Sequence, residues 1–216
     1  MATGKKTIIF DLDGTLIDSL EDIAVCMNQV LEELNLPTHE VDDYKYFVGG
    51  GISVLVDNAL DKKISQEVKE KVTNKFKIVY DQKLHEKTKP YDGIYDLLDE
   101  LQKLDFKIGI LSNKPHEFTI QYAKNLFSKY NMKEIHGQKA HIEKKPNPIA
   151  AIQIAKSFEV PCEEIYFVGY PNGLWDETHN KPIIRKGITA SHPKFDYNGK
   201  KEFLIEKINY IFIMRI

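Results

Sequence analysis

The sequence predicts an α/β protein, a doubly wound parallel sheet interrupted after its first strand by an inserted block of helices. Three observations carry this expectation. A short β-branched apolar run, Lys6 to Phe10, stops at acidic residues, as a buried strand feeding a polar site does. The stretch from about Leu20 to Leu84 keeps helical spacing. Beyond Pro90, helix-like and strand-like segments alternate in the manner of βαβ units.

The elements follow in order. Leu20, Ile23, Ala24, Met27, Val30, Leu31 and Leu34 form one helical stripe, with Asp18 or Ser19 as N-cap and Pro37 just past the end. Residues 52–60 and 65–84 continue helically, the second with Val68, Val72, Phe76 and Val79 on one face. Ile94, Leu97, Leu98, Leu101 and Leu104 mark a further helix, FKIGILSN reads as a strand, and Phe118 to Phe127 as another helix. Pro148 to Phe158 is helical again and Glu164 to Val168 again a strand. From Gly169 the chain is turn-rich. Ile188 to Ala190 suits a short strand, residues 202–208 a helix and INYIFIMRI a final strand.

At 216 residues the chain is long enough for one domain with a modest insertion, and 42% apolar with 29% charged residues excludes disordered, collagen-like and coiled-coil classes. No window approaches the roughly 18 uninterrupted apolar residues of a membrane helix. The opening MATGKKTIIF lacks the apolar core and cleavage site of a secretory signal, so a cytosolic chain is expected. A formal charge of -2 gives no basic excess for nucleic acid, which leaves small molecules as the default partners. Cys26 and Cys162 lack metal-ligand spacing and read as reduced thiols.

The chemistry concentrates in FDLDGTLIDS, residues 10–19. Asp11 and Asp13 lie two apart behind a strand, so they point to one side and share a small volume. Like charges this close raise one pKa unless a cation lies between them, and Mg²⁺, a hard ion with oxygen ligands, meets that need. One carboxylate can then attack phosphorus while its neighbour protonates the leaving oxygen. The competing readings are an acidic turn, or a calcium loop whose glycine would fall sixth rather than fourth.

With these residues the sequence resembles the haloacid dehalogenase superfamily of phosphohydrolases over residues 5–168, in particular its phosphoglycolate phosphatase-like members. The first family motif is matched by Asp11, Asp13, Gly14 and Thr15, the second by Ser112 with Asn113 beside it, and the third by Lys145 in KKPNP. The resemblance implies a Rossmann-like core, residues 1–17 and 88–216, and a helical cap domain, residues 18–87. It implies Asp11 as nucleophile, Asp13 as general acid and base, and Ser112 and Lys145 as catalytic groups on the phosphoryl oxygens. Thr15, Gly49, Gly50 and Asn113 are the expected substrate-binding residues. YFVGGGISVLVDNAL, residues 46–60, resembles the phosphoglycolate phosphatase cap, where a glycine loop enters a helix. Mg²⁺ would be held by Asp11, the carbonyl of Asp13 and an acid of the fourth motif.

That fourth motif is altered. Tyr170 stands where its first acid belongs, and Asp176 and Glu177 come later, Asp176 being the candidate third metal ligand. The segment 170–205 resembles part of a trypsin-like peptidase domain and contains Asp176, His179, Ser191 and His192. Nothing like the surroundings of a nucleophilic serine follows, so no triad is expected. GITASH and EKINYIF are expected to supply the last two strands of the family sheet. The expected activity is Mg²⁺-dependent hydrolysis of a small phosphate monoester, with 2-phosphoglycolate as candidate, by a monomer or homodimer that binds no nucleic acid or membrane. The alternative is a catalytically impaired phosphatase fold, because of Tyr170.

Overall fold

The computed structural model describes residues 6–160 and 165–169, and, as backbone, 183–186, 188–189, 203–207 and 210–214. Its first strand, β1 (Thr7–Phe10), is buried at every position, which is how a central strand covered on both faces reads in sequence. The chain then turns through β2 (Ile17–Asp18) into the helical block: α1 (Leu20–Glu33), a 3₁₀ turn (Val41–Asp43), α2 (Tyr44–Phe47), α3 (Ile52–Ala59) and α4 (Gln66–Gln82). It returns through β3 (Lys89–Pro90) to α5 (Ile94–Lys103), β4 (Lys107–Pro115), α6 (His116–Phe127), β5 (Met132–Gln138), α7 (Ile149–Ser157) and β6 (Ile165–Gly169). The backbone strands β7 (Ile183–Lys186), β8 (Ile188–Thr189), β9 (Phe203–Lys207) and β10 (Tyr210–Met214) follow.

The main sheet has the order β5-β4-β1-β6-β7. The first four strands are parallel, and β7 joins β6 antiparallel. Alternate residues of the central strands serve opposite faces. Ile8, Phe10, Ile108 and Ile110 pack with the apolar stripes of α5 and α6, whereas Ile9 and Leu111 pack with Ala150, Ala151, Ile154 and Phe158 around α7. This is a sheet wound on both sides, as the sequence predicts.

The helical block shares its core with that sheet. Met27, Val30, Val72, Phe76 and Tyr80 belong to the same apolar cluster as Phe10, Leu98, Phe118 and Tyr122. The predicted stripes of α1 and α4 face the core, α4 adding Tyr80 to Val72, Phe76 and Val79, whereas Leu104 of the stripe predicted for α5 is exposed. A two-residue antiparallel ladder, Ile17 with Pro90 and Asp18 with Lys89, ties together the two crossings into and out of the block. Beside it, buried Asp22 accepts hydrogen bonds from the Lys87 and Thr88 backbone N–H groups and the Thr88 hydroxyl.

Three expectations need correction. Residues 202–208 do not form a helix: Phe203–Lys207 is β9, paired antiparallel with β10 on one side and β8 on the other. Pairing with a strand on each side overrides a weak helical pattern. These strands also do not extend the main sheet. They form a separate three-stranded sheet, and β7 takes the edge place beside β6. The third correction concerns β5, which the sequence did not predict because MKEIHGQ mixes polar and apolar residues without clean alternation. Gly137 lets β5 run against the start of α6, where a Cβ would come 2.6 Å from His116 Cα and 2.7 Å from the Lys114 carbonyl oxygen.

Candidate active site

The site lies at the carboxyl ends of the parallel strands, where open α/β sheets place ligands. Phe10 is in register with Ile110 and Val168, and the Asp11 N–H donates to the Val168 carbonyl at 2.8 Å. Asp11 therefore leaves the sheet edge at the level where β4 continues outward with Ser112, Asn113 and Lys114. Leu12 is fully buried between the two aspartates, so Asp11 and Asp13 both project away from the core. Gly14, at φ 75°, reverses the chain, and the Leu16 N–H donates to the Leu12 carbonyl to close the loop. Both carboxylates line a cavity of about 60 Å³ together with Gly49, Ser112, Asn113 and Lys114; its outer wall is apolar, formed by Val48, Ile52, Leu55 and Phe76.

Each aspartate is held at one oxygen and left open at the other. Asp11 Oδ1 accepts from the Leu12 N–H and pairs with Lys145 Nζ, both at 2.8 Å. Asp13 Oδ1 accepts from the Ser19 hydroxyl at 2.5 Å and from Lys114 Nζ at 2.9 Å. Among the described residues neither Oδ2 has a hydrogen-bond partner. Ser19 stands at the N-cap position of α1 but turns its hydroxyl to Asp13 instead of capping the helix.

Lys114 is the principal group that sequence reasoning missed. Its side chain is only 5% exposed, its ammonium sits over the rings of Tyr80 and Tyr122, and it donates to the Tyr80 hydroxyl at 2.8 Å. Burial pushes the Tyr80 hydroxyl well above its ordinary pKa and that of Tyr122 up to about 12, so both keep their protons. The available signal was the LSNK run itself, but the partner that gives Lys114 its place lies on α4, far away in sequence.

The other expected residues are brought close in different ways. Ser112 is buried, and its Oγ accepts from the Lys114 N–H at 3.2 Å. Asn113 spends its amide on backbone: it donates to the carbonyls of Gly49 and Lys145 at 3.0 and 3.1 Å and accepts from the Lys145 N–H at 2.8 Å. It thus ties the glycine loop of the helical block to the loop that carries Lys145. Lys144 makes a second tie, to the Gly50 carbonyl at 2.8 Å and the Ser53 hydroxyl at 3.1 Å. Gly51, at φ 80°, is where the loop passes closest to the core: a Cβ there would stand 2.9 Å from the Asn113 carbonyl oxygen. Thr15 is buried under the aspartate loop, and its hydroxyl has no hydrogen-bond partner among the described residues. Asp176, Glu177, Tyr170, His179, Ser191 and His192 lie outside the described residues.

As a cation site, Asp11 Oδ2 and the Asp13 carbonyl offer the oxygen-only donors that Mg²⁺ takes, and the open Oδ2 is consistent with such a use. Among the described residues no three acidic, His or Cys side chains converge, so a third carboxylate has to come from beyond them.

This fold has known counterparts. A family model for haloacid dehalogenase-like hydrolases matches residues 8–171, and the chain belongs to that family. Among curated proteins, a phosphoglycolate phosphatase of Vibrio parahaemolyticus is 31% identical, over 92% of this chain and 94% of its own. One from Aquifex aeolicus is 35% identical over 74% of this chain and 71% of its own; for a Pseudomonas syringae pv. tomato relative at 34% identity the shares are 76% and 62%. Among solved structures, a candidate phosphoglycolate phosphatase from Lactobacillus delbrueckii subsp. bulgaricus superposes with a TM-score of 0.71 at 26% identity, covering 77% of this chain and 79% of that one.

Proposed function

We propose that the protein is a Mg²⁺-dependent phosphatase that hydrolyses a small phosphate monoester through an aspartyl-phosphate at Asp11, with 2-phosphoglycolate as the first candidate substrate. The observation that carries this reading is the matched pair of aspartates beside one cavity, each fixed at Oδ1 by a lysine and each with an Oδ2 that has no partner among the described residues. The relatives named phosphoglycolate phosphatase support the substrate class.

In this reading an Asp11 oxygen attacks phosphorus, the bond from phosphorus to the ester oxygen breaks, and Asp13 gives that oxygen its proton. Asp13 then takes a proton from the water that attacks the aspartyl-phosphate, and inorganic phosphate leaves. Lys145 offsets the charge of nucleophile and phosphoryl group together, and Ser112 hydrogen-bonds a phosphoryl oxygen. Asp11 and the Asp13 carbonyl would hold Mg²⁺, with Asp176 as the third ligand; the ion supplies charge neutralisation at the phosphoryl group. Residues 18–87 act as the cap, and the glycine loop held by Asn113 and Lys144 keeps water out during transfer.

A second reading is a phosphatase fold with impaired catalysis. Tyr170 in the place of an acid favours it. Phosphate release from 2-phosphoglycolate and from an aryl phosphate, with and without Mg²⁺ and beside Asp11→Asn, separates the two. Metal-dependent turnover that vanishes in Asp11→Asn is the expected result. A cooperatively folded wild type that releases no phosphate supports the impaired alternative.

A further inference from the structure

Behind the cavity runs a chain of buried polar side chains that the phosphoryl-transfer steps do not use. It starts at Asp13 and passes through Lys114 to Tyr80, whose hydroxyl lies 3.0 Å from that of Tyr122. Tyr122 is 3.2 Å from the Thr88 hydroxyl, which donates to Asp22 at 2.5 Å. The members come from the aspartate loop, the end of β4, α4 of the helical block, α6 of the core and the crossing at Thr88. Buried polar groups are tolerated when each is paired, and a fully paired chain fixes the geometry of its members.

We propose that Lys114 and Tyr80 are positioning residues for Asp13: Tyr80 fixes the Lys114 ammonium, and that ammonium fixes the carboxylate. The proposal rests on the phosphatase reading, in which Asp13 must present one oxygen to the leaving group. Lys114 and Ser19 both take Oδ1, which sets the carboxylate plane and leaves Oδ2 as the oxygen able to exchange a proton. A lysine on four rotatable bonds holds nothing in place unless it is itself held. Here the Tyr80 hydroxyl takes one of its N–H donors, and the Tyr80 and Tyr122 rings lie 4.7 and 5.0 Å from the ammonium. Tyr80 is in turn fixed by stacking on Phe76 at 5.2 Å and by the edge of Phe118 at 5.3 Å. Because Tyr80 belongs to the helical block, the acid is in position when that block is seated.

The test is steady-state kinetics on the full chain with Tyr80→Phe, which keeps the ring and removes only the hydroxyl, and Lys114→Met, which keeps most of the chain length and removes the charge. A positioning role predicts that Tyr80→Phe lowers kcat about tenfold and Lys114→Met about a hundredfold, with KM within about twofold of wild type. The double variant should be no slower than Lys114→Met alone, since both act on one chain. An unchanged kcat in Tyr80→Phe overturns the proposal, and so does a raised KM at constant kcat in Lys114→Met, which would make Lys114 a substrate-binding group. If Lys114→Met fails to fold, Tyr80→Phe decides alone. Should the wild type release no phosphate, the phosphatase reading fails by itself. Crystal structures of wild type and Tyr80→Phe then decide the positioning claim, and an Asp13 carboxylate in the same place in both overturns it.

Discussion

Lys145 and Lys114 each fix one oxygen of a carboxylate at the cavity, Lys145 on Asp11 and Lys114 on Asp13. Lys145 stands in a lysine pair before Pro146. Its Nζ lies 2.8 Å from Oδ1 of Asp11, the proposed nucleophile. Lys145→Met removes that charge where negative charge gathers in the transition state, so kcat should fall about a hundredfold or more while the fold persists, as checked by kinetics beside a thermal melt. Lys144, its neighbour, turns instead to the glycine loop, and nothing in a KK dipeptide says which lysine goes where. The aspartates were legible because a period of two persists to Asp13, three residues past the strand, with Leu12 buried between them. Lys114 and Tyr80 were not, because their pairing joins β4 to α4 and exists only in the folded chain. Asn113, expected at the substrate, has its amide engaged by the Gly49 and Lys145 backbone, a use that spacing alone does not reveal.

At the level of elements, strong amphipathic stripes gave α1, α4, α5 and α6 with bounds close to those observed, because burial of one face decides a helix of that length. Weakly patterned pieces depended on their partners. β5 takes its place from β4 and from the Gly137 contact, and β9 from the strands on either side of it. The crossings between sheet and helical block depend on Asp22, a polar residue inside the predicted apolar stretch of α1. It is 3% exposed and accepts from two backbone N–H groups and a hydroxyl at residues 87–88. Asp22→Ala leaves the two Thr88 donors buried and unpaired, which should cost about 2 kcal/mol and lower Tm by about 4–8 °C, measured by calorimetry or circular dichroism. Since the ladder at Ile17–Asp18 and Lys89–Pro90 has only two residue pairs, the same change should speed amide exchange at residues 87–89 ahead of the strands of the main sheet.

For the whole molecule, one apolar cluster runs from the sheet through α1 and α4, so the helical block and the core should unfold together in a single transition despite the chain crossing twice between them. That shared stability carries a pH dependence from two histidines. His85, at the exit of α4, packs against Tyr122 with ring centroids 4.3 Å apart and lies 2.8 Å from the Asn125 amide nitrogen, which as a donor requires an unprotonated ring nitrogen. Burial lowers its pKa, the charge of Asp22 opposes that shift, and Lys114 adds to it. His116, at the start of α6, is lowered first by burial and then by Lys139 and His136. Both groups titrate lower in the folded chain than near 6.5, the value for an unfolded histidine, so below about pH 6.5 the unfolded state binds more protons and folding stability falls. Above that pH their contribution is fully present and the stability curve is flat with respect to them. Urea melts of the wild type between about pH 8 and 5 should show the midpoint dropping on the acid side. His85→Gln, which keeps an amide acceptor for Asn125 without the titrating ring, should flatten part of that drop. A midpoint that rises on acidification would mean that these imidazoles hold their protons more tightly in the folded chain, and a His85→Gln curve parallel to the wild type would mean that folding leaves the His85 pKa where it is in the unfolded chain.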